Sequence, residues 1–322
     1  MHLSCFPLLF TILHLASALS PTRLIYQFPL GTWLENLAVR PCGSILLSTV
    51  TAPEIYLINP LAPNPQPTLV HNFTEASWTV GITETIPDTF YVAAANGSLT
   101  ELLPAPGSNR LFRVRFPYFG AATPQVELAA TVGDAVFLNG LTTLDARTVL
   151  AADCVKGAIW AINVIDGSSK IVIQDPLMAP NAANPIGVNG LRILNGQLYF
   201  TNSAQSLFAK IAIKPDGTPR GPPATVIAST AADDFALDWR GHAFIATAGG
   251  NTIVEVKKNG KQAIIAGDLN STEIAEPTSA RFGRTWQDRG TLYVTTAGGL
   301  GVPVNGDERV GGQLVAVDVR ND

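Results

Sequence analysis

One pattern of strands recurs six times along this chain, and it narrows the possible folds more than any other feature of the sequence. Each unit is an apolar strand, a turn carrying Gly, Asp or Pro, a second strand ending in small residues, and a third strand ending near Asp or Asn. The units begin at Leu37 (LAVRPCGSILLSTVTAPEIYLINP), Val80 (VGITETIPDTFYVAAANGS, continued by LFRVRF), Leu141 (LTTLDARTVLAADCVKGAIWAINVIDG), Leu191 (LRILNGQLYFTNSAQSLFAKIAIKPDG), Phe235 (FALDWRGHAFIATAGGNTIVEVKKNG) and Thr278 (TSARFGR, then GTLYVTT and GGQLVAVDV). Successive starts lie about 43 to 61 residues apart, the spacing of four-stranded propeller blades with loops of unequal length. Segments such as GSILLST, TVLAAD and HAFIAT are apolar on both faces, so a single unit cannot cover its own surfaces and must be stacked between neighbours. The 28 Gly and 23 Pro interrupt nearly every window that might hold a helix. The expected fold is therefore all-β, a six-bladed β-propeller, with the unrepeated strand TRLIYQFP at Thr22 closing the last blade. Two stacked β-sandwiches would need a linker, and none is visible.

The first 18 residues read differently. An apolar run from Leu3 to Leu19 contains Ala16-Ser17-Ala18, which fits a signal-peptidase site, although the leading segment carries only His2 and the amino terminus as basic groups. Residues 1–18 are expected to be a signal peptide and 19–322 a single propeller domain, secreted or held in the secretory lumen. The alternative is a short membrane anchor, for which about 17 apolar residues is the lower limit. Sequons at Asn72, Asn96 and Asn270 agree with a glycoprotein. Removal of the leader takes Cys5 with it and leaves Cys42 and Cys154, which can bridge or stay as separate thiols.

Composition excludes several functions. The net charge is −4 and the 21 Lys and Arg are scattered, so the basic stripe of a nucleic-acid binder is missing. Beyond the leader no apolar run is long enough to span a bilayer. Past His2 and His14 only His71 and His242 remain, too few for histidine-based metal chemistry, and no GxSxG string supplies a nucleophile. The Gly pairs at Gly249 and Gly298 follow strands without opening a helix, so they read as loops and no nucleotide cofactor is expected. The sequence does not fix an oligomeric state.

In a propeller the innermost strand of each blade lines the axis, and polar residues just ahead of it meet whatever binds there. Ahead of the first unit stand Trp33, Glu35 and Asn36; ahead of the third, Phe137 and Asn139; ahead of the fourth, Asn189; ahead of the fifth, Asp233 and Asp234; ahead of the sixth, an ordinary EPTS with Glu276 and Thr278. Asn-Gly by itself is a turn signal, yet these residues recur at equivalent places in different repeats. Trp33, Trp78 and Phe137 either pack between blades or face the mouth.

These residues carry a resemblance. The arrangement is similar to the superfamily of senescence marker protein, gluconolactonase and strictosidine synthase, six-bladed propellers, over nearly the whole chain after the leader. In the gluconolactonase branch a divalent cation is held by a Glu of the first blade, two Asn and an Asp. By that resemblance Glu35 of LENLAVRP, Asn189 of VNGL, Asp233 of DDFALD and, more loosely, Asn139 of LNGL would hold Ca2+ or another divalent cation. The sugar-binding Arg of that branch is replaced here by Phe137-Leu138, which argues against a sugar lactone as substrate. The strings FPLGTWLENLAVRP, NGLRILNGQLYFTNS, DDFALD and TTAGGLGVPVNG more closely resemble a fungal group that includes the hetero-Diels–Alderases of tropolone sesquiterpenoid biosynthesis.

That narrower resemblance implies an enzyme of secondary metabolism that joins a tropolone-derived quinone methide to a humulene-type alkene in meroterpenoid formation, with no cofactor and a hydrophobic small molecule as partner. Such a pericyclase needs an apolar cavity and a few polar groups. Glu35, Asn189 and Asp233 are the candidate catalytic groups; Trp33, Asn36, Trp78, Phe137, Asn139 and Asp234 are the candidate substrate contacts. A divalent-metal-dependent lactonase using Glu35, Asn139, Asn189 and Asp233, and a propeller that binds a small molecule without catalysis, are the alternatives.

Overall fold

The computed structural model describes residues 19 to 319 apart from 99, 101 and 102. The expected signal peptide and its cleavage site therefore lie outside the described residues. Six four-stranded antiparallel sheets form the fold, and among the described residues the only helical segments are three single 3-10 turns. The innermost strands are Leu34–Val39, Trp78–Ile86, Leu138–Asp145, Val188–Leu194, Phe235–Leu237 and Pro277–Phe282. Each contacts the next around the axis, and the first contacts the sixth, so the ring is closed.

The repeats map onto blades one for one. The long interval between the second and third starts is filled by an added hairpin, Gly97–Ser98 with Leu103–Pro104, and by the loop that follows Arg110–Arg115. Closure occurs where TRLIYQFP predicts it. Thr22–Gln27 pairs antiparallel with Gln313–Asp318, running from Thr22 opposite Val317 to Gln27 opposite Gln313, and so covers an edge that would otherwise be open.

Second strands such as Ile45–Thr49, Thr89–Ala95 and Ala243–Ala246 are buried at every position, because side chains on both faces pack into neighbouring blades. Outer strands such as Gln125–Thr131 are mostly exposed. A clasp joins the first two blades: the buried Arg40 donates from Nε to Asp88 at 2.8 Å while its guanidinium lies 3.6 Å from the Phe116 ring centroid. Cys42 and Cys154 are separate free thiols, the first half-buried and the second buried. Asn72, Asn96 and Asn270 are all exposed.

The Asn-Gly pairs depart from their turn reading. Asn139-Gly140 and Asn189-Gly190 lie inside inner strands, and the reason is steric. A Cβ on Gly81 would overlap the backbone oxygen of Asn139, one on Gly140 that of Asn189, and one on Gly190 would overlap Asp234. Glycine is required there because the next blade's strand comes too close for any side chain. Gly140→Ala should therefore lower stability by at least about 2 kcal/mol in urea unfolding. Gly133→Ala, at a position with nothing within 4 Å, should stay within about 0.5 kcal/mol of wild type. Equal stability of the two variants would show that the axis is not closely packed.

Candidate functional site

At the upper end of the axis, where the inner strands begin, lies a cavity of about 350 Å³. Its wall contains seven of the residues singled out from sequence, Trp33, Glu35, Trp78, Phe137, Asn139, Asn189 and Asp233, together with Val80, Ile186, Ala232 and Glu276. The remaining two, Asn36 and Asp234, are not on that wall. They are turned one layer deeper, where Asn36 Nδ2 donates to Asp234 Oδ2 at 2.9 Å and Ser279 Oγ does the same at 2.9 Å. Arg192 Nη2 lies 3.0 Å from that oxygen. This buried network forms a floor across the axis.

Irregular pairing aims the site residues. In five of the six blades the register between the first and second strands slips near the start of the inner strand: between Leu34 and Asn36, Thr79 and Ile82, Leu138 and Leu141, Val188 and Leu191, and Pro277 and Ser279. Glu35, Asn139 and Asn189 are among the residues these bulges leave out of the ladder, which frees them to turn toward the axis. In the fifth blade Asp233 and Asp234 precede a strand of only three residues, Phe235–Leu237, and successive side chains point to opposite sides, one into the cavity and one into the floor.

Hydrogen bonds fix each polar group. Trp33 Nε1 donates to Glu35 Oε2 at 2.7 Å, and Asn139 Nδ2 reaches Glu35 Oε1 at 3.4 Å. Asn189 Nδ2 donates to Asp233 Oδ1 at 2.7 Å and to Ser203 Oγ at 3.1 Å. Glu276 accepts from the backbone N–H of Gly301 at 2.9 Å and of Val302 at 2.8 Å, which ties the loop at 297–312 to the rim. Its own backbone is left-handed, with φ of 54°, an unfavourable state for a residue with a Cβ that is often found at functional sites. Glu276 is the cavity acid that sequence reasoning passed over. EPTS looks like a common turn, and neither the left-handed backbone nor the loop folding back on it leaves a local signal.

Among the described residues the cavity lining holds no Lys, Arg or His. Burial therefore dominates its acids. Glu35 is pushed up to about 7 by burial, against the lowering pull of its Trp33 and Asn139 hydrogen bonds, with added repulsion from Asp234 and Glu276. Glu276 is also pushed up to about 7 by burial, although the Gly301 and Val302 N–H groups favour its ionised form. Burial and then the neighbouring Glu35 raise Asp233 well above the usual carboxylate range. Trp78 is 2% exposed and its Nε1–H has no acceptor among the described residues. It sits beside Phe137, with ring centroids 6.2 Å apart.

His71 and His242 lie away from this wall; His242 Nδ1 is 3.1 Å from Glu255 Oε1. The Gly249 pair forms a single 3-10 turn, Ala248–Gly250, which is itself part of the lining, and the Gly298 pair is a turn. As for a cation, the carboxylates of Glu35 and Asp233 and the amide oxygens of Asn139 and Asn189 form an all-oxygen set of the kind hard cations prefer, so these residues fit such an ion in donor type. Among the described residues no group of three or more His, Cys, Asp or Glu is gathered closely enough to hold a metal.

Comparison with known proteins finds two relatives over most of the chain. A protein of Phoma sp. named "Putative hetero-Diels-Alderase" is 28% identical over 305 residues, covering 85% of this chain and 86% of its own length. A protein of Sarocladium schorii with the same description is 27% identical over 313 residues, covering 85% of this chain and 78% of its own. The chain resembles hetero-Diels–Alderases. No family model matches it. Among solved structures, a calcium-binding regucalcin of Agrobacterium tumefaciens aligns with a TM-score of 0.65 at 16% identity, over 96% of this chain and 98% of that one. A gluconolactonase of Xanthomonas campestris aligns with a TM-score of 0.63 at 13% identity, over 98% and 96%. These structural likenesses show the propeller fold.

The raised acids make stability depend on pH in a defined direction. A carboxyl that holds its proton up to about 7 when folded but only to its ordinary 4.5 when unfolded stabilises the fold fully below about 4.5. That contribution is lost as pH rises through about 7. Glu35→Gln, which mimics the protonated group, should therefore gain in Tm relative to wild type as pH is raised from about 5 to about 8. A Tm difference that stays flat across this interval would show that Glu35 is not held protonated by its surroundings.

Proposed function

We propose that the upper cavity catalyses a hetero-Diels–Alder cycloaddition, without a cofactor, between a tropolone-derived quinone methide and a humulene-type alkene in meroterpenoid biosynthesis. The observation that carries this reading is a cavity walled by Trp33, Trp78, Phe137, Val80 and Ile186 that holds two glutamic acids with pKa values near 7. The relatives named hetero-Diels-Alderase supply the reaction class.

Two neighbouring acids that titrate near neutrality can divide acid and base roles. In forming the quinone methide from a hydroxymethyl precursor, the ionised carboxylate takes the ring O–H proton while the protonated carboxyl gives its proton to the departing hydroxyl. Water leaves, and the two groups have exchanged one proton. In the cycloaddition that follows, one C–C and one C–O bond form and no atom is lost. The carboxyl now protonated donates a hydrogen bond to the oxygen of the heterodiene, where negative charge builds up. One such donor in a water-poor site is worth about 3 kcal/mol in the transition state. The aromatic wall holds diene and alkene face to face, and positioning of this sort adds several kcal/mol.

The oxygen set of Glu35, Asn139, Asn189 and Asp233 supports a second reading, a divalent-cation-dependent lactonase. When bound, such an ion would polarise an ester carbonyl and acidify a water molecule. Under the first reading Asn139 and Asn189 keep Glu35 and Asp233 in place, and secretion places the reaction outside the cytosol.

Incubating the purified protein with a quinone-methide precursor and humulene alcohol should give one stereoisomer of the adduct, undiminished by a chelator. Glu35→Gln should slow the reaction about 100-fold. A product mixture identical to the enzyme-free control would dispose of the cycloaddition, and hydrolysis of a lactone abolished by chelator would establish the second reading in its place.

A further inference from the structure

The other ends of the inner strands surround a second cavity of about 220 Å³, on the far side of the floor. Its charged lining is Glu84, Arg192, Arg281 and Arg284, set among apolar side chains that include Phe90 and Phe282. The cations outnumber the acids within reach. Arg192 Nη2 and Arg281 Nη1 lie 3.0 and 3.6 Å from the same oxygen of Asp234, and Arg284 pairs with Glu84. That Asp234 oxygen already accepts from Asn36 and Ser279. Three guanidinium groups thus share two carboxylates, and one positive charge is left over at the mouth.

Their hydrogen-bonding capacity is also incompletely used. Among the described residues Arg281 and Arg284 each bond through Nη1 alone, to Phe235 O and Ala280 O in one case and to Val39 O and Glu84 in the other. Arg192 Nε is buried with no partner among the described residues. Each guanidinium has five N–H donors, so the donors of Arg281 and Arg284 other than Nη1 remain available beside the cavity that both side chains line. Planar edges of this kind match a carboxylate, which they can hold through paired hydrogen bonds.

We propose that this lower mouth is a second ligand site, for a small monocarboxylate with a compact apolar body. The free edges of Arg281 and Arg284 receive the carboxylate, Arg192 adds its charge from behind, and the body lies against Phe90 and Phe282. A single surplus charge and a largely apolar wall suit a monoanion better than a phosphate dianion. The site stands apart from the upper cavity, whose acids would repel the same ligand, and does not depend on what that cavity catalyses.

Benzoate is a suitable probe, with benzamide as its uncharged counterpart. Isothermal titration of the full-length protein at neutral pH should show saturable binding of one benzoate and far weaker binding of benzamide. Arg284→Met, at a side chain 39% exposed, should raise the Kd at least about tenfold while the far-UV circular dichroism stays that of wild type. Arg281→Met should do the same, while Glu35→Gln should leave the Kd unchanged. No saturable binding, equal binding of benzamide, or a Kd altered by Glu35→Gln but not by Arg284→Met would overturn the proposal.

Discussion

The close approach of inner strands at the axis governs the rest of this structure. In three consecutive blades a glycine, Gly81, Gly140 and Gly190, lets the next strand press its backbone into the space a side chain would fill, against Asn139, Asn189 and Asp234 respectively. The residue each glycine meets belongs to the neighbouring blade, so the contacts form a staircase around half the ring. On the other half there is no such glycine. Asn36, Asp234 and Ser279 fill the axis and hydrogen-bond to one another across blades separated by as many as 243 residues. Steric fit closes one side and a polar floor closes the other, and together they divide a single channel into two blind cavities.

That division also separates charge. Above the floor the cavity holds Glu35, Asp233 and Glu276 with no basic side chain among the described residues of its lining. Below it the second cavity gathers Arg192, Arg281 and Arg284 around a single lining acid, Glu84. Asp233 and Asp234 sit at the boundary, adjacent in sequence and facing opposite ways. The first is exposed to the repulsion of the other acids, with burial as the larger influence, and the second is held by arginines and amides. A sequence that places two aspartates side by side gives no hint that one belongs to a ligand cavity and the other to the partition beneath it.

The fold was legible because a propeller repeats its own instructions. Segments apolar on both faces, such as GSILLST and HAFIAT, can only be stacked, and six of them at blade spacing imply a ring. Placement of Glu35, Asn139, Asn189 and Asp233 was legible for the same reason, since equivalent positions in different repeats must face a common axis. What stayed hidden depends on backbone detail. Asn139-Gly140 and Asn189-Gly190 carry the composition of turns but sit in bulged strands, because the glycine answers to a neighbouring blade and not to local chain reversal. The role of Glu276 rests on a left-handed backbone and a loop that returns from 25 residues downstream. Arg192 and Arg281 stand at equivalent places on the inner strands of the fourth and sixth blades, each opposite a tyrosine of the second strand, so the repeat relates those two; Arg284, past the end of its strand, carries no such signal.

Burying several carboxyl groups around one cavity is unfavourable when they are charged, and a protein relieves the strain either by binding protons or by binding a cation. Glu35 and Glu276 show the first route, each raised to about 7, where protonated and ionised forms coexist at neutral pH. Structural carboxyls in this same molecule follow another course: Asp88 is paired with Arg40, and Asp153 accepts from three backbone N–H groups and the Trp160 indole. The fold therefore has the means to satisfy a buried acid fully and applies them away from the upper cavity. Acids left only partly satisfied beside an apolar wall retain the ability to exchange a proton with whatever enters, and that reserve of unmet electrostatic demand sets the upper cavity apart from the packed core around it.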